Sequence, residues 1–96
     1  MRRKLIYTKR FERAYRRFTR RNRVLKEAIK TALIQLEANA FAPQLNTHKL
    51  QGNLRDFRAC SCGYDCRILF SIEPDLEIEG QEIIVLLSVG SHDDVY

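Results

Sequence analysis

Two histidines (His48 and His92), one carboxylate (Asp65) and two arginines (Arg58 and Arg67) are the side chains of this sequence whose types combine into chemistry. An unperturbed imidazole titrates near neutrality, so it serves as a base or as an acid. A base that takes a ribose 2′-hydroxyl proton, an acid that protonates the departing 5′-oxygen and a cation facing a phosphorane-like centre suffice to cleave RNA without a metal. Each group also has a plainer reading. His92 sits in a Gly-Ser-His-Asp corner and His48 in a loop. Asp65 directly follows a turn, where Asp is common. An arginine on a sheet face, such as Arg67, is usually solvated or salt-bridged. The set rises above these readings where one surface gathers it, so the elements that carry the residues matter.

Residues 3–7 are short and β-prone. Thr8 offers an N-cap for a helix over 9–21, on which Phe11, Ala14, Tyr15 and Phe18 recur at i, i+3, i+4 and i+7. Asn22 offers a second cap for a helix over 23–40 with an apolar stripe from Val24 to Leu36. The near absence of a loop between the two predicts an antiparallel αα-hairpin. Phe41-Ala42-Pro43 ends it, because proline pushes its predecessor out of the helical region. A loop follows over 44–52, then a strand over 54–60, a turn at 61–64, a strand over 65–72, a turn at 73–75 and an apolar strand over 83–89. The order β-α-α-β-β-β predicts an α+β fold, with the N-terminal helical hairpin packed on one face of a mostly antiparallel sheet. At 96 residues the chain has room for one core, so residues 1–96 are expected to form a single domain.

Helices on one face leave the other face free. Cys66, Ile68, Phe70 and Ile72 are expected to face the helices, which turns Asp65 and Arg67 outward. By the same apolar logic Phe57 and Ala59 point inward, and Arg58 points outward beside Arg67. Antiparallel pairing of the last two strands carries His92 to the start of the 65–72 strand, and His48 lies just upstream of the 54–60 strand. The two histidines, the carboxylate and the two arginines then share one concave surface.

Charge separates a second region from this one. The chain holds 17 Lys and Arg against 12 Asp and Glu, for a net +5. Residues 1–30 hold 13 basic and 2 acidic side chains, whereas residues 31–96 hold 4 and 10. Arg10, Arg13, Arg17 and Arg20 belong to a wide guanidinium face on the first helix. That face is suited to nucleic-acid phosphates or an acidic partner. Tyr96 is a candidate for stacking on a base. A hydrophobic fraction of 45% excludes a disordered basic tail. No apolar stretch approaches the ~20 residues of a membrane span, and no apolar run after the basic N-terminus makes a secretory signal. Cys60, Cys62 and Cys66 are odd in number and clustered, which does not make a disulfide framework. Zinc completed by His48 or His92, or a redox pair, are the alternatives to the reading adopted, of small buried thiols in a reduced cytoplasm.

The stretches His48-Lys49-Leu50-Gln51-Gly52, Phe57-Arg58, Gly63-Tyr64-Asp65-Cys66-Arg67-Ile68-Leu69-Phe70 and Leu87-Ser88-Val89-Gly90-Ser91-His92-Asp93-Asp94-Val95-Tyr96, with a basic first helix, resemble the RelE/ParE toxin superfamily, most closely its YafQ-like branch. The resemblance implies the toxin of a type II toxin–antitoxin module in the cytoplasm. Such a toxin is a ribosome-dependent endoribonuclease that cuts mRNA in the A site without metal or other cofactor and leaves a 2′,3′-cyclic phosphate. It also implies a cognate antitoxin, operator DNA bound only as the toxin–antitoxin complex, and no membrane. His48, Asp65 and His92 match active-site positions, Tyr96 the terminal aromatic and Arg67 the sheet arginine of the wider superfamily. Ser61, Cys66 and Ser88 depart from a histidine, a tryptophan and an arginine of the branch, leaving Arg67 and Arg58 as the cations that take over. His48 or Asp65 is then the base and His92 the acid. A ParE-like gyrase inhibitor and a catalytically weakened homologue that only binds RNA or antitoxin are the alternatives.

Overall fold

Thr8 sets the first corner of the chain. Its side-chain oxygen accepts from the Phe11 N–H at 3.0 Å, and its hydroxyl donates to the Leu86 carbonyl at 2.7 Å. One residue therefore caps a helix and ties it to a strand. In the computed structural model, which describes residues 2–95, that corner joins β1 (Lys4–Tyr7) to α1 (Lys9–Phe18). Asn22 caps α2 (Arg23–Ala38) in the same way, accepting from the Leu25 N–H at 3.0 Å. Both expected caps are present. Helix α1 ends at Phe18 rather than 21, because the Thr19 hydroxyl turns back to the Tyr15 carbonyl at 2.7 Å and Arg21 adopts a left-handed φ of 57°. Helix α2 ends at Ala38 rather than 40.

Four further strands complete a five-stranded sheet: β2 (His48–Lys49), β3 (Arg58–Ser61), β4 (Arg67–Pro74) and β5 (Glu82–Gly90). The spatial order is β1-β5-β4-β3-β2, with β1 parallel to β5 and every other pair antiparallel. The α+β architecture with a helical hairpin on a mostly antiparallel sheet is as expected. Phe11 and Ala14 of α1, Ile29, Ala32 and Leu36 of α2, Ile68 and Phe70 of β4, and Ile84, Leu86 and Val89 of β5 form the core between the layers. Burial of that apolar area is the main favourable term holding helices to sheet. No helix among the described residues is long and apolar enough to cross a membrane.

Several local expectations are corrected. Strand β3 begins at Arg58, not 54, because Gly52–Leu54 form a 3-10 turn closed by Arg55 N–H to the Gly52 carbonyl at 3.3 Å, and a further turn follows it with Phe57 N–H on the Leu54 carbonyl at 2.9 Å. Glu73 and Pro74 extend β4 instead of turning. The turn starts at Asp75, whose carboxylate accepts from the Glu77 and Ile78 N–H groups at 2.9 and 3.3 Å. The two-residue β2 and a short helix after β5, α3 (His92–Val95), are additions to the expected order. The parity of β3 is the reverse of that expected. Cys60 lies opposite Ile68 and belongs to the core, whereas Ala59 lies opposite Leu69 on the other face. The buried thiol of Cys60, an effective small hydrophobe, takes the core side.

Candidate active site

Cross-strand register defines the sheet face away from the helices. His48, Ala59, Leu69 and Ser88 form one row across β2, β3, β4 and β5, and Ser61, Arg67 and Gly90 form the next. Neighbouring strands lie ~4.8 Å apart and alternate residues ~6.6 Å apart, so His48 and Arg67 have backbones about 12 Å apart on one face. A polar group between them, rather than direct contact, bridges such a gap.

At the end of that face the start of β4 meets the end of β5. Asp65, in a left-handed conformation at φ 51°, directs its Oδ1 to the backbone N–H of His92 at 3.0 Å. The carboxylate thus satisfies one of the otherwise unpaired N–H groups that open α3. Ser91 and Asp94 add a reciprocal cap. The Ser91 Oγ accepts from the Asp94 N–H, and the Asp94 Oδ2 accepts from the Ser91 N–H, both at 3.3 Å. Gly90 lets this corner close, since a Cβ there would stand 2.8 Å from the Asp94 Cβ. His92 is exposed, with its Nδ1 3.7 Å from the Asp93 carboxylate. The Arg67 guanidinium is held from the same turn, donating to the Cys66 carbonyl at 2.8 Å and the Gly63 carbonyl at 3.2 Å. Asp65, Arg67 and His92 therefore lie at one corner of the sheet, where the direct contact runs from the Asp65 carboxylate to the His92 backbone.

His48 stands across the face on β2, with its Nδ1 3.0 Å from the Asn46 carbonyl. A carbonyl only accepts, so that nitrogen carries the hydrogen in the neutral ring and Nε2 is the basic nitrogen. Asn46, at a left-handed φ of 52°, turns its carbonyl to this task at the end of the Pro43–Leu45 3-10 turn.

Arg58 does not join the set. It lies opposite Phe70, on the helix side, and its guanidinium sits 5.6 Å from the Phe41 ring centroid, which Arg3 also approaches at 5.6 Å. The expectation that it points outward beside Arg67 is corrected with the parity of β3. Arg10, Arg13, Arg17 and Arg20 are exposed on and just after α1. Of these, Arg17 meets the sheet. Strand β1 pairs only as far as Leu86, so the last residues of β5 form a sheet edge beneath α1. A cleft of about 540 Å³ there is lined by Ala14, Arg17, Phe18, Ser88, Val89 and Asp94. The basic helix face and the sheet face thus adjoin. Tyr96 lies outside the described residues. A larger groove, about 650 Å³ and lined by Leu5, Tyr7, Phe11, Ile29 and Leu33 among others, lies between β1 and the helices and contains none of the candidate catalytic residues.

The cysteines differ from expectation. Cys62 and Cys66 form a disulfide, and only Cys60 is a buried free thiol. Burial pushes the Cys60 thiol up to about 12, against the opposing pull of Arg67. Gly90, Ser91 and Asp94 shape this corner without being site candidates in the sequence, although Ser-x-x-Asp is the spacing of a reciprocal helix cap.

A sequence comparison with curated proteins gives no match. Among solved structures, the fold is similar to the YoeB/ParE toxin from Agrobacterium tumefaciens, at 15% identity over 93% of this chain and 98% of that one, with a TM-score of 0.74. It is similar to the E. coli DinJ-YafQ toxin-antitoxin complex, at 14% identity over 100% and 99%, with a TM-score of 0.73. A copper-bound mutant toxin from Helicobacter pylori is 25% identical over 100% of both chains, with a TM-score of 0.69. The profile of the bacterial toxin of type II toxin-antitoxin systems, YafQ, matches residues 3–96, and with the fold it places this chain in the YafQ toxin family of the RelE/ParE superfamily.

Proposed function

We propose that this toxin is a ribosome-dependent endoribonuclease that cuts mRNA in the A site by metal-independent attack of the 2′-hydroxyl, and that a cognate antitoxin neutralises it. The observation that carries the reading is the Asp65–His92 contact at 3.0 Å, which brings the histidine to the Arg67 end of the sheet face. His48 Nε2 takes the 2′-hydroxyl proton, and O2′ attacks phosphorus as the bond to O5′ breaks. His92 supplies the proton to O5′, leaving a 2′,3′-cyclic phosphate and a 5′-hydroxyl. Arg67 N–H groups face the charge that builds on the non-bridging oxygens. Asp65 is assigned to hold His92 in place, because its Oδ1 already accepts the backbone N–H, and His48 is assigned as the base. Arg10, Arg13, Arg17 and Arg20 bind RNA phosphates. Tyr96 is assigned to base stacking.

The apolar groove between β1 and the helices, flanked by exposed Tyr7 and Ile34, supports an antitoxin contact, since protein partners cover apolar surface of this kind. Operator DNA is bound only by the toxin–antitoxin complex, and the toxin acts in the cytoplasm. Primer extension on mRNA translated by ribosomes with the purified protein tests the reading. Cuts at codon positions are expected. Intact mRNA with double-strand DNA breaks would instead identify a gyrase inhibitor, and intact mRNA and DNA a module that only binds.

A further inference from the structure

Two of the site groups hang from one cross-linked turn. The Cys62–Cys66 disulfide closes a five-residue ring just before β4. Inside it the Cys62 N–H reaches the Cys66 carbonyl at 2.9 Å and the Cys66 N–H the Gly63 carbonyl at 3.2 Å. Gly63 (φ 129°) takes a positive φ that glycine adopts freely, whereas Asp65 (φ 51°) holds one that a residue with a Cβ populates sparsely in an open chain. A cross-link removes the competing open conformations. From this ring Asp65 holds the His92 N–H, and the Gly63 and Cys66 carbonyls hold Arg67. The disulfide is also within reach of solvent on one side. Cys66 is fully buried and Cys62 is 5% exposed, at the floor of a surface cleft of about 440 Å³ along α2 that Ala28, Thr31, Gln35 and Gln44 also line. The third thiol, Cys60, is buried and held protonated, so it does not compete in exchange.

We propose that Cys62 and Cys66 are a reversible oxidation site that controls the toxin: cross-linked, the ring positions Asp65, His92 and Arg67, and reduction by a cellular dithiol releases them. This rests on the functional reading above. A thiolate of the dithiol attacks the Cys62 sulfur and expels Cys66 as a thiolate. The second thiol of the reductant then attacks the mixed disulfide and frees Cys62. Two electrons and two protons pass to the protein as the dithiol becomes its own disulfide. Disulfides in reducing cytoplasm are mostly transient and sensing, which suits a bond at the edge of the core directly under a catalytic corner.

The test compares the full chain oxidised and reduced with dithiothreitol, with thiol titration to establish each state. The first readout is amide hydrogen exchange at His92, and the second is kcat and KM for ribosome-bound mRNA. Reduction is expected to speed exchange at His92 and Arg67 while the β5 core amides stay protected. It is expected to lower kcat by roughly 100-fold, the scale of a small misplacement of catalytic groups, with KM nearly unchanged. Reoxidation restores both, and Cys60→Ala retains the response. Unchanged exchange at His92, or exchange rising throughout the fold, would overturn the proposal without any substitution being made. An oxidised chain that leaves mRNA intact would overturn the functional reading instead, while the exchange readout still decides whether the ring holds the corner.

Discussion

Replacing Asp65 separates its two assignable roles by magnitude. Its Oδ1 accepts the His92 N–H at 3.0 Å from a backbone at φ 51°, so Asp65→Asn keeps both an acceptor oxygen and a residue that tolerates the left-handed region. Asp65→Ala loses both. Loss of such a cap costs about 1–2 kcal/mol, which lowers the population of the docked α3 by roughly 5- to 30-fold. The strain of Ala at that φ adds about 1 kcal/mol more. A residue that instead took the 2′-hydroxyl proton would cost ~10²–10⁴-fold in kcat whether replaced by Asn or by Ala. Asp65→Asn is therefore expected within about 5-fold of wild type and Asp65→Ala well below it, in single-turnover cleavage of ribosome-bound mRNA with folding checked by thermal melting. A folded Asp65→Asn protein as inactive as Asp65→Ala would refute the positioning role and make Asp65 the base.

Gly90→Ala places a Cβ 2.8 Å from that of Asp94, so α3 must shift at a cost of about 1–3 kcal/mol; kcat should fall more than KM rises, and the melting temperature should drop. Cys60 has its thiol raised from 9.0 to about 12 in the fold, so the native state holds the proton more tightly than the unfolded chain does. Stability should then fall as pH rises above about 9, by up to ~1.4 kcal/mol per pH unit, and denaturant titrations of Cys60→Ala should lack that component. Arg13→Ala with Arg17→Ala should weaken ribosome binding and reduce the slope of log affinity against log salt by about 1.5, with the cleavage pattern unchanged.

The parts of the fold set by neighbouring residues are legible in the sequence. The Thr8 and Asn22 caps, the helical stripes and the facing of Ile68 and Phe70 follow from side-chain oxygens and period alone. Strand β3 is ambiguous because both of its parities carry apolar residues, Phe57 and Ala59 on one and Cys60 on the other, so alternation does not choose between them. Register across the sheet makes the choice. The placement of Asp65, Arg67 and His92 at one corner of the sheet is legible from antiparallel pairing of β4 and β5. The contact that joins Asp65 to His92, carboxylate to backbone N–H, depends on a left-handed turn that periodicity does not encode. Pairing of Cys62 with Cys66 is hidden by the third cysteine, which composition does not distinguish from its neighbours and which burial in the core sets apart.

In the proposed mechanism one histidine on each side of the sheet face performs one proton transfer. The most direct measurement is the rate of mRNA cleavage on ribosomes by folded His48→Ala and His92→Ala proteins, with the 3′ product end identified. Each variant is predicted to lose ~10²–10⁴-fold in kcat, and wild type to leave a 2′,3′-cyclic phosphate. Near wild-type cleavage by either variant, or a wild-type product with a plain 3′-hydroxyl, would contradict that mechanism.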